Sequence, residues 1–313
     1  MKKAVSILAT VLLMLTTGCT PSQPKEERLT IVATTYPVYL FASAVVQDVD
    51  GVVVERLNTG ASSCLHDYTL SVDDMKLLEQ ADIIAINGVG LEDFMEDALS
   101  KSKAQVVDCS QGVALLENLT HDHAEGDEGH DHGHYDPHIW MAPENVAIMV
   151  DNLEHALSEL DPDNQQKYQD NAMNADLLLE TWDSNIQDIL QENKALITGL
   201  ITFHDGFQYF AHTYGLPLLA AIEEEAGSEA SAKEISEITD LVVEKEIPVI
   251  FTEVNGSKTT AQAIQRETGC DLAQLNMLMD GPEDGDLTHY LDGMFQNIRE
   301  VVNGFAGEEV IVA

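Results

Sequence analysis

Basic residues are scarce. Across 313 residues, Lys and Arg total 15 against 55 Asp and Glu, a formal net charge of -40. That balance argues against nucleic acid and against anionic membrane surfaces as partners. It suits cations, although carboxylates on solvated helix faces account for much of it. A membrane-spanning run is missing as well: the apolar stretch over residues 4–15 falls short of the ~20 residues that a span requires. Familiar catalytic signatures are also absent. There is no H-E-x-x-H helix, no Gly-rich phosphate loop, and no Ser, His and Asp set around a nucleophile elbow, so no enzyme is expected. Nor is there an internal period of about 20 to 50 residues, which sets solenoids aside. The length suffices for two ordinary domains with real cores.

The start of the chain reads as a targeting segment. Lys2 and Lys3 precede the apolar run, and Thr16, Thr17, Gly18 and Cys19 follow it. The small residues ending in Gly-Cys resemble a bacterial lipobox, which implies an exported chain lipidated on Cys19 and tied by that anchor to the membrane. Residues 20–28 are then a polar tether. Cys64, Cys109 and Cys270 remain, and in an oxidising setting three thiols allow one disulfide and one leftover. Cys64 and Cys109 each follow an expected strand in the first half, where both could sit at one edge of one sheet, and they are the expected pair.

From residue 29 the apolar pattern alternates between two periods. It predicts strands over 29–35, 52–57, 81–86 and 104–107, with helices over 37–47, from the Ser71 cap to 79, and over 91–100. Ser71 followed by Asp74 is a carboxylate variant of the capping box. Pro143 opens a helix to 160, and Pro162 opens a longer one to about 193. At 1.5 Å per residue those ~32 residues form a rod of roughly 48 Å, long enough to join two lobes. The second half repeats the alternation, with strands over 196–203, 216–220, 248–253 and 272–275 and helices over 206–214, 232–245, 259–268 and 287–302. Strands regularly alternating with helices imply parallel sheets. The expected fold is α/β, two parallel-sheet lobes joined by one long helix: an N-terminal lobe over 29–161, a linking helix over 162–194 and a C-terminal lobe over 195–313.

Histidine carries the chemistry. His121, His123, His130, His132 and His134 are interleaved with Asp122, Glu125, Asp127, Glu128, Asp131 and several Gly, with no apolar side chain larger than Ala. Such a segment has nothing to bury against the entropy of ordering. It is expected to be a solvated auxiliary loop over 120–135 that collects metal weakly, since imidazole and carboxylate are ligands that zinc accepts. Six other histidines remain. His155, His212 and His289 fall in helical patterns and are expected to be surface or packing residues. His66, His138 and His204 lie in or just after loops that follow predicted strands, where ligands bind in parallel α/β sheets. Asp280, after the last strand, is the natural fourth ligand, and Asp67, Asp136 and Asp205 are placed to orient the rings.

These residues sit in a longer match. ATTYPVY, HDYTLSVDDMKLLEQADIIAINGVGLEDF, DPHIWMAPENV after a His-rich loop, DPDNQQKYQDNA, FHDGFQYFAHTYGL, SEASAKEISEITDLV and EVNGSKTTAQAIQRETG resemble, in order, the zinc and manganese solute-binding lipoproteins of bacterial ABC importers, in their ZnuA-like zinc-uptake branch. The resemblance covers nearly all of the chain after the leader. It implies two similar metal-binding lobes joined by one rigid helix, with the ion held between them by His66, His138, His204 and Asp280. It further implies a Zn2+ cargo handed to an ABC-transporter permease by a monomer that is extracytoplasmic and lipid-anchored. Manganese members usually carry Glu where His204 stands, and an imidazole suits zinc better than that harder oxygen. Two other readings stay open: a manganese binder, metal buffer or adhesin built on the same site, and a metal-dependent hydrolase of the HD phosphohydrolase kind. The hydrolases are all-helical, so strands distinguish them.

Overall fold

A computed structural model describes residues 28–57, 65, 68–118, 134–223, 230–254 and 258–311. The leader, Cys19 and the tether up to residue 27 lie outside the described residues, as do Cys64, His66, Asp67 and residues 119–133.

The first lobe runs β1 (Leu29–Ala33), α1 (Tyr36–Val45), β2 (Val52–Arg56), α2 (Val72–Gln80), β3 (Ile83–Ile86), α3 (Glu96–Lys101) and β4 (Gln105–Asp108). Two long helices, α4 (Pro143–Leu160) and α5 (Gln165–Asn193), lead to the second lobe. There β5 (Leu200–His204), α6 (Gln208–Thr213), β6 (Leu218–Glu223), α7 (Ala232–Glu244), β7 (Val249–Glu253), α8 (Thr259–Thr268), β8 (Asp271–Leu275) and α9 (Leu287–Ala306) follow. Both sheets are parallel, ordered β2-β1-β3-β4 and β6-β5-β7-β8. The same order thus occurs twice, and each sheet has its switch point between its two central strands, where side chains at the carboxyl ends face a crevice.

Local sequence explains many of the boundaries. Ile31, Val32 and Ala33 are fully buried, as expected for a strand covered on both faces. Ser71 Oγ accepts from the Asp74 amide while Asp74 accepts from that of Ser71, completing the capping box. Thr35 caps α1, with Pro37 in the first turn, and Pro143 begins α4. Where a helix was expected over 91–100, a 3-10 turn over Asp93–Met95 comes first and α3 is short. Glu92 accounts for this. Its carboxylate turns back to accept from Thr34 Oγ1 at 2.7 Å and from the amides of Asn87 and Gly88 at 2.8 and 3.0 Å. β5 starts later than expected because Lys194–Leu196 form another 3-10 turn.

The linking helix is not a bare rod. At 1.5 Å per residue its 29 residues span about 44 Å, and Tyr168, Ala172, Ala175, Leu179, Ile186 and Leu190 are buried in one stripe along it. That stripe lies on α1 and α4 of the first lobe and on α9 of the second. One continuous core therefore runs from Ile31 to Phe305. The lobes also meet directly. Trp140, fully buried, donates its indole N–H to the Met277 carbonyl at 2.8 Å, and Tyr290 donates its hydroxyl to the Trp140 carbonyl at 2.9 Å. Phe41 stacks edge-on against Tyr290.

The expected bridge between Cys64 and Cys109 is corrected. Cys109 is a free, fully buried thiol, as Cys270 is a buried free one. Cys109 follows β4 directly and is packed into the apolar core of the first lobe. The burial that packs Cys109 into the core also pushes its pKa well above the usual thiol value, with Glu92 and Asp108 adding to the effect.

Candidate metal centre

His138 follows an Asp-Pro pair at the edge of the first lobe. An isolated antiparallel bridge between Glu117 and Tyr135, with the Asn118 amide donating to the His134 carbonyl, joins the chain on either side of residues 119–133. Asp136, completely buried, accepts from the His138 amide at 2.9 Å and sits 2.7 Å from His138 Nδ1, both through Oδ1. Asn87 donates to the Pro137 carbonyl at 2.9 Å. Its own backbone is held by Glu92, whose carboxyl burial pushes up to about 7. Trp140 packs its ring 5.3 Å from that of His138. The imidazole is therefore fixed from behind, with Nδ1 committed to Asp136 and Nε2 facing outward.

His204 ends β5 in the second lobe. Its Nδ1 faces Glu253 Oε1 at 3.9 Å, and Glu253 ends β7, the neighbouring central strand. Its Nε2 lies 3.1 Å from Nε2 of His138. The rings are 4.9 Å apart and nearly perpendicular, at 88°. Two imidazoles bound at 2.0 to 2.1 Å to one tetrahedral ion would hold their nitrogens about 3.3 Å apart. The pair is thus within a few tenths of an ångström of chelating spacing, one donor from each lobe and a carboxylate behind each ring.

Gly206 makes this approach possible. A Cβ there would stand 2.5 Å from His204 Cδ2, 3.0 Å from its Nε2 and 2.5 Å from the Met277 methyl. Burial strongly opposes protonation of His138, yet the charges of Asp136, Asp205 and Glu253 and the Asp136 hydrogen bond outweigh it and raise its pKa above the ordinary 6.5. The two nitrogen donors thus lie in a buried, negatively charged setting.

The remaining expected residues are placed less uniformly. Leu65 and Tyr68 flank His66: Leu65 is fully buried, and the Tyr68 hydroxyl donates to Asp74 at 2.7 Å. Asp205 is buried beside the pair. Asp280 is not brought onto the two imidazoles. Its side chain is 45% exposed and lies 3.6 Å from Arg56. It does share with Glu253, Asn276, Met277 and Met279 a cavity of about 230 Å³. Among the described residues, no set of three or more His, Cys, Asp or Glu converges on one point. Of the auxiliary histidines only His134 is described, exposed and 3.6 Å from Glu117; His121, His123, His130 and His132 lie outside the described residues. His155 and His212 sit on helices, and His289 helps cap α9 through Asp286. Among the described residues no helix is long and apolar enough to cross a membrane.

Sequence reasoning missed Glu253 and Arg56. Glu253 had a signal: it ends the buried run PVIFTE as His204 ends LITFH, each at the carboxyl end of a central strand. Arg56 had none within reach, since its partner is 224 positions away.

Two parallel α/β lobes with a donor pair between them make this a protein of the metal-binding solute-binding fold. The all-helical hydrolase architecture is excluded. The chain matches the profile of the family described as "Zinc-uptake complex component A periplasmic" over residues 31–304, and it belongs to that family. It is 28% identical over 307 residues to the zinc-binding lipoprotein AdcA of Streptococcus pneumoniae. The match takes in 96% of this chain but 60% of that longer protein, so the chain spans less than two thirds of that relative. Among solved structures, the crystal structure of ZnuA superposes with a TM-score of 0.76 at 25% identity, covering 88% of this chain and 99% of that one. The binding protein FpvC of Pseudomonas aeruginosa, in complex with Mn2+, gives 0.75 at 25% identity, with 90% and 99% covered.

Proposed function

We propose that this chain is the high-affinity zinc-capturing component of a bacterial ABC importer. It takes Zn2+ between its lobes outside the cytoplasm and hands it to a membrane permease, acting as a monomer held at the membrane by lipid on Cys19. The observation that carries this reading is the 3.1 Å approach of the two Nε2 atoms, one from each lobe, with Asp136 and Glu253 behind the rings. An imidazole-rich donor set favours zinc over manganese. His66, from the segment between Leu65 and Tyr68, and Asp280, from the shared cavity, complete three nitrogens and one oxygen. AdcA, a zinc-binding relative over nearly this entire chain, supports the same cargo. The His-rich segment serves as an auxiliary collector of metal and not as the tight site. No catalytic step is assigned; the ion is cargo.

Competition titration with a zinc chelator tests this on the parent, on a deletion of residues 120–134 and on His204→Ala. One tight zinc per chain that survives the deletion and is lost in His204→Ala is expected. Tight binding that disappears with the segment and ignores His204→Ala would make the protein a metal buffer. A preference for Mn2+ in the same titration would move it to the manganese branch.

A further inference from the structure

Arg56 ends β2 in the first lobe, in register with Ala33 of β1. Its guanidinium reaches across to the second lobe. One nitrogen donates to the Gly281 carbonyl at 3.0 Å and lies 3.6 Å from Asp280 Oδ1. The group is held in place from beneath by two rings, 4.7 Å from the centre of Tyr36 and 5.9 Å from that of Tyr39. Such stacking fixes a planar cation far better than it would an ammonium. The loop it touches is seated as firmly. A Cβ at Gly281 or Gly285 would fall 2.3 or 2.2 Å from the Tyr36 hydroxyl oxygen, and Tyr39 donates its own hydroxyl to the Glu283 carbonyl. Asp280 therefore stands on a stationary arginine, at the rim of the cavity that Glu253 shares.

We propose that Arg56 is an internal cation that competes with the metal for Asp280, and so sets the affinity of the site. This deepens the zinc reading and rests on it. A carboxylate has limited charge to share, and bonding to a divalent ion draws it from the guanidinium. Capture of the ion then includes transfer of Asp280 from Arg56 to the metal, and release includes the return. Because Arg56 is pinned by Tyr36, Tyr39 and the Gly281 carbonyl, it cannot follow the carboxylate into the cavity. The partners are 23% and 45% exposed, so the competition has the modest strength of a partly solvated ion pair, about two- to fivefold in affinity.

The test is zinc competition titration on the full chain carrying Arg56→Gln, Arg56→Lys, Asp280→Asn and the double variant Arg56→Gln with Asp280→Asn. Arg56→Gln keeps a donor for the Gly281 carbonyl and removes the charge. It is expected to bind Zn2+ about two- to fivefold more tightly than the parent, whereas damage to the fold would weaken binding. Arg56→Lys restores the charge and should bring the affinity back toward the parent's. In the Asp280→Asn background, itself weaker, Arg56→Gln should give no gain. Unchanged or weaker binding in Arg56→Gln overturns the proposal. So does an equal gain in both backgrounds, which would be a through-space charge effect, and so does an Asp280→Asn variant that binds like the parent. His204→Ala keeps the readings separable: if that variant still binds zinc tightly, the metal centre itself is wrong, whatever Arg56→Gln does.

Discussion

Asp136→Asn changes one buried atom behind the metal-facing ring and nothing in front of it. Asp136 is completely buried and its Oδ1 serves both His138 Nδ1 at 2.7 Å and the His138 amide at 2.9 Å, while Oδ2 has no hydrogen-bond partner. The asparagine oxygen can replace Oδ1, which puts the amide nitrogen where no acceptor waits. The ring then loses a charge-assisted bond worth about 1.5 to 3 kcal/mol and with it the electron donation that makes Nε2 a good ligand. Removing such a partner from a ligating histidine typically costs about 10- to 100-fold in metal affinity, and that loss is expected here. It would be read as the zinc dissociation constant in chelator competition at pH 7.5, with thermal unfolding of the metal-free chain as the control for folding. Because the carboxylate also raises the His138 pKa, the fall of affinity on acidification should begin at a lower pH in the variant than in the parent. Zinc affinity within twofold of the parent, in a folded variant, would refute the idea that Asp136 tunes a ligand.

Zinc requires unprotonated imidazole, and the pKa of His138 lies above 6.5. Affinity should fall as the solution is acidified, and the fall should begin at a higher pH than an ordinary histidine would give; titrations between pH 5 and 8 check this, and a flat profile counts against the site. Gly206→Ala places a methyl 2.5 Å from His204 Cδ2 and should weaken zinc by about tenfold or more, since misplacing one ligand is comparable in cost to losing the group that orients it; equal affinity would mean that the ring moves freely. Trp140→Ala removes a fully buried side chain and its bond to Met277 across the lobes, and should lower stability by about 3 to 5 kcal/mol in urea unfolding; a loss below about 1 kcal/mol would show that the interlobe contact is not part of the folded core.

Features that depend on a few consecutive residues were legible in the chain itself. The Ser71 and Asp74 capping box, Pro143 at the start of α4, the strand and helix periods and the twofold alternation needed only neighbours within a turn or a pleat. Strand ends could likewise be read as sites, and so His138 and His204 were found from their positions after expected strands. What the sequence could not contain was which ends meet. His138 and His204 are 66 positions apart and in different lobes, and only the docking of the lobes along α5 and through Trp140 puts their Nε2 atoms 3.1 Å apart. The same packing buried Cys109 in the core as a free thiol. It also placed Glu253 behind His204 and laid Asp280 against Arg56. Local propensity acts over one or two turns, whereas these pairings follow from how two sheets and their covering helices share one core.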